Sequence, residues 1–423
     1  MSRIVVTTLG TLGDLHPMIA VALELRQRGH DVVFVTHEVY RSKLEALAFE
    51  FHPMRPNFTA MNDPQEMARM MDLKTGQEYM VRNWVNPSLH EMYTDLLNIA
   101  KGADFIFSGE GVIVTPLVAE KLGMRWASSA MVPLSFFSVY DPPVLAPFPA
   151  LAKLYKFGPI VNRRILNFAK LVSNSWANPI RKLRRELGLS AIDYNPFLEN
   201  RFSPYLVVAL FSSVLGQPQP DWASNTIVAG FTFYDGAQGG ATLTPELEQF
   251  LDAGEPPIVF TLGSAAVMDA GSFYQESLKA AQQINRRAVL LIGNNSPLEN
   301  LPSTVLAVNY APYSLIFPRA CAIVHQGGIG TMAQALRSGR PTLVMPYSHD
   351  QPDNAARVAR LGTSRTIERK NYSATRVAKE LSELLENPSY TAKAAEIGQI
   401  VQAENGVGVA CDAIEKQLRE VVK

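Results

Sequence analysis

Short runs rich in apolar and β-branched residues alternate with segments of helical period along most of the chain. The runs of the first half are RIVVTTL (3–9), DVVFVT (31–36), DFIFSG (104–109), RWASSA (125–130) and YLVVAL (205–210). PMIAVALELRQRG (17–29) has the apolar spacing of a helix, with Pro in its first turn and Gly at its end. Strands that alternate with helices predict a parallel sheet covered by helices on both faces.

The pattern breaks once and then restarts. GQPQPDWASN (216–225) contains two prolines and few apolar residues, which is typical of a linker between domains. The runs beyond it are PPIVFTLGS (256–264), RRAVLLIG (286–293), TVLAVNYAP (304–312), ACAIVHQGG (320–328) and PTLVMPYSHD (341–350). We therefore expect two doubly wound α/β halves that face each other across a cleft, with ligands bound in the loops that follow the strands.

Composition excludes several classes of function. Lys+Arg and Asp+Glu number 39 each among 423 residues, so no net charge attracts nucleic acid. Cys321 and Cys411 are too few for a disulfide framework or a four-ligand zinc site. The chain starts as a strand without a signal-peptide pattern, and no run of about 18 apolar residues predicts a membrane span. We expect a cytoplasmic protein without a nucleic-acid partner.

The segment 151–187 departs from this charge balance. It carries nine Lys and Arg and one acidic residue, interleaved with aromatic and aliphatic side chains. A solvated helix face is the interpretation that we favour. Weak contact with a membrane surface is the alternative.

A glycine-rich loop, HQGGIG (325–330), lies between a buried strand and a segment of helical period. Glycines at such a turn let main-chain N–H groups approach a phosphate, and the helix N-terminus adds unpaired donors and a positive dipole end. Thr331 adds a hydroxyl donor. The loop predicts a diphosphate site, and a tight turn without a ligand is the alternative.

A nicotinamide dinucleotide is a second possible ligand of this loop. Gly328, Gly330 and Ala333 fit the pattern G-x-G-x-x-A, and Asp350 follows about 20 residues later. Such a fingerprint usually opens its domain, whereas this one follows several strands. An NAD-dependent oxidoreductase is therefore the alternative class of enzyme.

Two stretches carry a resemblance to a known family. YAPYSLI (310–316) with HQGGIGTMAQALRSGRPTLVMPYSHDQPDN (325–354) resembles the donor-binding signature of the inverting, nucleotide-sugar-dependent glycosyltransferases of family 1. TTLGTLGDLHPMIAVALELRQRGHDVVFVT (7–36) resembles the start of their acceptor-binding domain. The motifs HQGG (325–328) and HDQPDNAARV (349–358) most resemble those of bacterial rhamnosyl- and glucosyltransferases of small lipophilic acceptors.

The resemblance implies the GT-B fold, in which two Rossmann-like domains face each other across a cleft. We expect an acceptor-binding domain at 1–217 and a nucleotide-sugar-binding domain at 218–406. The last helix, about 407–423, is expected to pack back on the first domain.

Carried onto this chain, the resemblance implies a donor site. Tyr310 would stack on the base, and the backbone of Ala311 would read the base edge. The diphosphate would lie against residues 325–331, and Asp350 and Gln351 would bond sugar hydroxyls. The implied donor-site residues are Gly13, Ser264, Tyr310, Ala311, His325, Gln326, Gly327, Gly328, Gly330, Thr331, Gln334, Asp350 and Gln351.

Two positions depart from the family pattern. Many relatives have a pair of histidines before the glycines, and their phosphate-binding histidine aligns with Gln326, so either His325 or Gln326 contacts phosphate here. Gln334 stands where plant relatives have a Glu that grips both ribose hydroxyls. This leaves dTDP, which lacks one of them, as possible as UDP.

The loop GTLGDLHP (10–17) predicts the general base. Gly10 and Gly13 make the turn flexible, and the resemblance places Asp14 where it accepts the proton of the acceptor hydroxyl. His16 is the fallback base, because its ordinary pKa suits proton transfer better. The alternative is that Asp14 only caps the following helix, but we expect Pro17 to open that helix with His16 as its cap. We expect the other histidines near this end of the chain, such as His37, to be packing or surface residues.

The sequence lacks two features of other glycosyltransferases. Retaining enzymes of this fold usually carry two glutamates eight apart at the donor loop, and here only Glu396 and Glu404 have that spacing, in a helical tail that an exposed face explains. The chain also contains no D-x-D pair to hold a metal. We expect inversion without a metal or cofactor, with the nucleotide-sugar as co-substrate.

The acceptor pocket should come from the segments around 55–95 and 131–175. Both are rich in Met and aromatic residues within irregular, proline-punctuated stretches, and Trp84, Phe136 and Phe137 are the candidates. We expect the acceptor to be a lipophilic alcohol or phenol. A non-catalytic sugar-nucleotide-binding protein and a sugar-nucleotide epimerase of the same fold are further alternatives.

Overall fold

The computed structural model describes residues 1–57, 63–236 and 240–421, which form two separate parallel sheets. The strands of the first sheet are β1 Arg3–Thr7, β2 Asp31–Thr36, β3 Glu50–Pro53, β4 Phe105–Ser108, β5 Trp126–Ala130, β6 Leu206–Ala209 and β7 Thr226–Val228. Their spatial order is β3-β2-β1-β4-β5-β6-β7, and every pairing is parallel. The order therefore reverses between β1 and β4.

The second sheet repeats this arrangement. Its strands are β8 Ile258–Thr261, β9 Ala288–Leu291, β10 Val305–Val308, β11 Ala322–His325, β12 Thr342–Val344 and β13 Ser364–Thr366. They pair in parallel in the order β10-β9-β8-β11-β12-β13, so the reversal lies between β8 and β11. Ligands of such sheets bind at the reversal, outside the carboxyl ends of the strands.

Helices connect the strands and cover both faces of each sheet. They are α1 Leu12–Gln27, α2 Arg41–Ala46, α3 Pro64–Met70, α4 Gly76–Met80, α5 Leu89–Ala100, α6 Thr115–Leu122, α7 Pro159–Ser173, α8 Asn178–Glu186, α9 Pro245–Asp252, α10 Phe273–Gln283, α11 Tyr313–Ile316, α12 Ile329–Ser338, α13 Gln351–Arg360, α14 Ala374–Glu386, α15 Pro388–Ala403 and α16 Gly406–Val421. Among the described residues, no helix has both the length and the apolar character needed to cross a bilayer.

The apolar strand runs explain why the sheets are buried on both faces. All four residues of β4, β6, β8, β9 and β11 are buried, as expected for strands between two helix layers. Alternate residues enter different cores: Ile4 and Val6 pack with α1 and α16, whereas Val5 packs with α5 and α6. The predicted class, two doubly wound parallel sheets, is confirmed.

The structure corrects three expectations about the elements. Helix α1 begins at Leu12 instead of Pro17, which lies inside it. Strands β3, β7 and β13 are short and partly exposed, and their patterns did not predict them. The expected boundary at 217 also precedes the end of the first sheet, because β7 pairs with β6.

The chain crosses between the two halves twice, and the crossings touch. After β7 it passes through Gly230 and Phe231 into the second half, and it returns at Glu404 to enter α16. Glu404 accepts hydrogen bonds from the Ser212 hydroxyl at 2.5 Å and from the Phe231 amide at 3.4 Å. A Cβ built on Gly406 would lie 2.4 Å from the Phe231 carbonyl, so only glycine permits this approach. Glu404 therefore joins the two crossings and is not explained by an exposed helix face.

The two halves also exchange helices. The last helix, α16, buries Ala410, Cys411, Ile414 and Leu418 in the core beside α1. In the other direction, Met67 of α3 packs in the core of the second half. Each half therefore supplies part of the other's packing.

Candidate functional site

A cavity of about 1330 Å³ lies between the carboxyl ends of the two sheets. It is lined by the loops that follow β1, β4, β8, β11 and β12, together with the segments from α3 to Val85 and from Met131 to Phe148. The loops after β1 and β11 start at the two reversals of strand order. The cavity is therefore where both sheets position their ligands.

Asp14 lies on the cavity wall at the start of α1. Thr11 is the N-cap, and the Asp14 carboxylate accepts a hydrogen bond from the Thr11 amide at 2.8 Å, which completes a capping box. Burial raises the pKa of Asp14 from 3.8 to about 6, although the bonds from Thr11 favour the carboxylate. The expectation that Asp14 stands too early to cap the helix is wrong. This carboxyl group both caps α1 and faces the cavity with a pKa suited to proton transfer.

His37 and Tyr40 hold the loop that carries Asp14. The Gly10 amide donates to Nε2 of His37 at 3.2 Å, and Nδ1 of His37 lies 3.0 Å from the Pro56 carbonyl. Burial lowers the pKa of His37 to about 4, so its ring is neutral with Nδ1 as donor. The Tyr40 hydroxyl donates to the Gly10 carbonyl at 2.9 Å. His37, which the sequence indicates only as a packing or surface residue, therefore positions the loop. Its contacts with Gly10 and Pro56, distant in sequence, show this role.

His16 is less suited to accept a proton than its sequence position suggests. It lies within α1 and its ring meets Tyr234 edge to face, 5.3 Å between centroids. Burial lowers the pKa of His16 to about 4, and its Nε2 atom is buried without a hydrogen-bond partner among the described residues. It is also not the helix cap that we expected.

The glycine loop faces Asp14 from the other half of the molecule. Gly328 is the N-cap of α12 and no side chain caps this helix, so the amides of its first turn are unpaired within the helix. A Cβ built on Gly330 would lie 3.5 Å from Cα of Gly13. The N-termini of α1 and α12 therefore meet, and both direct their positive dipole ends to the same part of the cavity.

The structure separates the roles of His325 and Gln326. His325 is completely buried in β11, where Nδ1 accepts the Gly327 amide at 3.0 Å. Gln326 lines the cavity, and its Oε1 atom has no partner among the described residues. Gly327 has a φ of +87° and lies behind the loop against Val344. His325 and Gly327 thus shape the loop, whereas Gln326, Gly328, Gly330 and Thr331 line the cavity.

Helix α13 brings two polar residues to the same space. Asp350 accepts a hydrogen bond from the Asn354 amide at 2.6 Å, and Asn354 also donates to the Gly327 carbonyl at 2.9 Å. Burial raises the pKa of Asp350 to about 7, and the charge of Asp14 acts in the same direction. Gln351 accepts the Tyr347 amide at 2.9 Å and lines the cavity. The carboxyl groups of Asp350 and Asp14 are thus close enough to repel each other across the cleft.

An exposed aromatic ring lies at another side of the cavity. Tyr310 is 56% exposed, and its hydroxyl donates to the Asp235 carbonyl at 3.1 Å. The Gln334 amide donates to the Asp235 carboxylate at 3.4 Å, while Oε1 of Gln334 is buried without a partner among the described residues. The Ala311 side chain is buried in the core and does not line the cavity, although Ser264 does. Asp235, between the two halves, is a site residue that the sequence did not indicate.

The apolar part of the cavity contains two of the three expected residues. Trp84, in a π-helical turn at Val81–Val85, and Phe137 line it. Phe136 does not, because it stacks on Trp222 with 3.8 Å between ring centroids. Phe137 has a φ of +46° at the end of a 3₁₀ turn, so the two neighbouring rings point apart. Residues 58–62 of the first expected segment lie outside the described residues.

Polar residues that the sequence did not indicate also lie in this part. Glu110, after β4, accepts hydrogen bonds from the Met131 amide at 2.8 Å and the Ser135 hydroxyl at 2.6 Å, and it pairs with Arg201. The Arg201 guanidinium also donates to the Phe197 carbonyl at 3.0 Å. Glu110 and Arg201 are far apart in the sequence, so no local pattern indicates that they form a pair.

A buried ion network fixes α13 to the first half. Arg357 donates to Asp353 at 2.7 Å and to the Leu215 carbonyl at 2.8 Å, and it pairs with Asp141 at 2.5 Å. Asp353 in turn accepts the Val144 amide at 2.9 Å. The helix that carries Asp350 and Gln351 is therefore attached to the loop beside Phe137. Among the described residues, no group of His, Cys, Asp and Glu has the geometry of a metal site.

The sequence and the fold are similar to those of several known proteins. Residues 4–86 match the glycosyltransferase family 28 N-terminal domain, and residues 275–407 match the erythromycin biosynthesis protein CIII-like C-terminal domain. O-mycaminosyltylonolide 6-deoxyallosyltransferase from Streptomyces fradiae is 32% identical over 98% of this chain and 97% of its own. The glycotransferase of kitacinnamycin has a TM-score of 0.74 at 20% identity, and glycosyltransferase VinC in complex with dTDP has 0.67 at 19%, each over 99% of both chains.

Proposed function

The chain belongs to the family 1 glycosyltransferases of the GT-B fold, and we propose that Asp14 is the general base of an inverting transfer. The donor is a UDP- or dTDP-sugar with a hexosyl or deoxyhexosyl group, and the acceptor is a hydroxyl of a lipophilic small molecule. Because the chain belongs to a family of transferases, the NAD-dependent oxidoreductase and the non-catalytic binding protein are set aside as alternatives. The observation that carries the proposal is the opposition of Asp14 and the glycine loop across one cavity.

The donor side supports this proposal with polar and aromatic groups that line the cavity. The diphosphate would lie against the amides at the start of α12, with Gln326 and Thr331 as side-chain donors. Tyr310 offers an exposed ring for the base, and Gln334 and Asp235 offer hydrogen bonds to the sugar of the nucleoside. Asp350 and Gln351 would bond hydroxyls of the transferred sugar.

The chemistry then needs one displacement. The acceptor oxygen attacks the anomeric carbon as Asp14 takes its proton, and the bond to the diphosphate breaks with its electron pair on the leaving oxygen. The two helix N-termini stabilise the negative charge that grows there. Attack opposite the leaving group inverts the anomeric configuration. We expect no metal or cofactor to be required, since amides and dipoles supply this stabilisation.

The apolar walls of the cavity support a lipophilic acceptor. Trp84 and Phe137 line it together with Met67, Met80 and Leu145. The Streptomyces fradiae relative is a deoxyallosyltransferase of a mycaminosyl-tylonolide. We therefore expect the acceptor to be a polyketide, a sterol, a phenol or a hydroxy-lipid.

The test combines turnover with stereochemistry. The purified protein is incubated with UDP- and dTDP-sugars and a panel of hydroxylated apolar acceptors, with and without EDTA, and products are identified by mass spectrometry. NMR of the product reports the anomeric configuration. Asp14→Asn should lose transfer while its Kd for UDP or dTDP, measured by calorimetry, stays within about threefold, because the donor groups remain. Transfer by Asp14→Asn at the wild-type rate, or retention of configuration, would contradict the mechanism.

A further inference from the structure

The outer side of α7 is an unusually apolar surface. Ile160 is 75% exposed and Leu171 is 74% exposed, and Phe157 just before the helix is 62% exposed. Phe168 and Val172 complete this surface, which we call the α7 face. The opposite side of the helix buries Asn162, Ile165 and Leu166. The α7 face is thus apolar although the packing of the helix does not require it.

Positive charge surrounds the α7 face without compensation. Lys153, Lys156, Arg163 and Arg164 are exposed, and no acidic residue occurs between Asp141 and Glu186. Within the described ranges, no carboxylate pairs with any of these four cations. A solvated face would not combine such exposed apolar side chains with unpaired cations.

The α7 face continues into the acceptor part of the cavity. Val172 belongs to both, and Ala169 and Ser173 of the same helix line the cavity. Phe148, which also lines it, contacts Phe168 with 5.9 Å between ring centroids. An apolar molecule at the α7 face therefore has a continuous apolar path towards Asp14.

We propose that the α7 face docks on an anionic phospholipid bilayer, and that the acceptor is a hydroxylated lipid that enters the cavity from this bilayer. The exposed rings and aliphatic side chains enter the interface, and the Lys and Arg residues bind lipid phosphates. A second copy of the chain is a poorer occupant, because a two-fold contact would bring the same cations face to face. The proposal rests on the proposed function only for the identity of the acceptor.

Binding to vesicles tests the docking without any turnover. The full chain is sedimented with vesicles of phosphatidylcholine that contain roughly one-third phosphatidylglycerol, and with phosphatidylcholine alone. We expect binding to the anionic vesicles that weakens with salt. Arg163→Gln with Arg164→Gln should reduce the partition coefficient about 25-fold, at about fivefold for each charge. Ile160→Ser with Leu171→Ser should reduce it about tenfold or more.

Matched controls come from exposed positions on α14 and α15 of the second half. Ile400→Ser removes an apolar side chain that is 43% exposed, and Lys379→Gln removes an exposed cation; both variants should bind like the wild type. All substitutions are at exposed positions, so melting temperatures should agree within a few degrees. Absence of binding to anionic vesicles, or equal binding by the α7-face variants, would overturn the proposal. Dimerisation that Ile160→Ser with Leu171→Ser abolishes would do the same, because the occupant would then be a second copy.

A second measurement separates this inference from the proposed function. Transfer to a short-chain, water-soluble acceptor should be equal in the wild type and in the α7-face variants, since none of the changed residues lines the cavity. Transfer to a long-chain alcohol embedded in the anionic vesicles should fall with vesicle binding. If the wild type transferred sugar to neither acceptor, the proposed function would be refuted. If the wild type and all variants transferred sugar equally to the vesicle-embedded acceptor, only the docking would be refuted.

Discussion

The pH dependence of turnover is the sharpest consequence of the Asp14 environment. Burial raises the pKa of this carboxyl group from 3.8 to about 6. At pH 7 about nine-tenths of the groups are then ionised, and at pH 5 about one-tenth. Since only the carboxylate accepts a proton, kcat at saturating donor and acceptor should fall about tenfold between pH 7 and pH 5. A base with the ordinary pKa would lose less than about a tenth of its activity.

The assay must separate Asp14 from Asp350, whose pKa is raised to about 7. Asp350 is expected to act on the donor sugar, so its titration should change KM for the donor, whereas kcat at saturation reports on Asp14. In Asp350→Asn the acid limb of kcat should remain. In Thr11→Val it should move to higher pH, because a hydrogen bond that favours the carboxylate is lost. A change in kcat below twofold between pH 7 and pH 5 would refute the assignment.

Stability gives an independent check with the opposite sign. The folded protein binds the Asp14 proton more tightly than the unfolded chain does, so stability is lost as the pH rises from about 4 to about 6. Asp14→Asn cannot ionise and should therefore be more stable at pH 7, by up to about 3 kcal/mol, while its activity is lost. At pH 4 the two proteins should unfold at nearly the same denaturant concentration. An unfolding midpoint of Asp14→Asn below that of the wild type at pH 7 would contradict the pKa argument.

Three further predictions concern the loop, the base platform and the ion network. Gly10→Ala should reduce kcat by about 100-fold or more in steady-state assays, because a Cβ at φ +134° would lie 2.2 Å from the Asp14 carboxylate and displace it. Tyr310→Ala should weaken UDP or dTDP binding in calorimetry by about 1–3 kcal/mol if its exposed ring stacks on the base, and unchanged affinity would contradict that role. Arg357→Met should lower the free energy of unfolding by about 3–5 kcal/mol in urea titrations, because it leaves buried carboxylates unpaired; Arg360→Met, which removes an exposed cation from the same network, should cost under about 1 kcal/mol.

The strand-to-loop organisation could be predicted because buried parallel strands leave continuous apolar runs. The runs around Val5, Val33 and Val324 each coincide with a strand that is buried on both faces. The short edge strands β3 and β13 leave no such signal, because their exposed residues follow no apolar period. The start of α1 escapes the sequence pattern for another reason: Thr11 and Asp14 cap the helix reciprocally, so it begins before Pro17, the residue that the pattern marks as a helix start.

The candidate site was predicted as far as local chemistry defines it. The glycine loop and Asp14 carry their own signals, namely glycines before a helix and a carboxylate before a proline. Which other side chains line the cavity depends on contacts with residues distant in sequence. Phe136, for example, stacks on Trp222 and does not line the cavity. The Gly327 amide likewise fixes His325 inside the core, so that Gln326 faces the ligand space.

The paired crossings at Phe231 and Glu404 limit how the molecule opens. The two connections lie side by side and are hydrogen-bonded to each other. We therefore expect the two halves to open by a hinge rotation about this point and not by a shear motion. Opening the cleft for entry and exit of substrates would then break the contacts of Arg357 with Asp141 and Leu215, which join the two halves at a second place. We therefore expect substitutions that weaken these contacts to lower the stability of the closed arrangement and to ease the release of product.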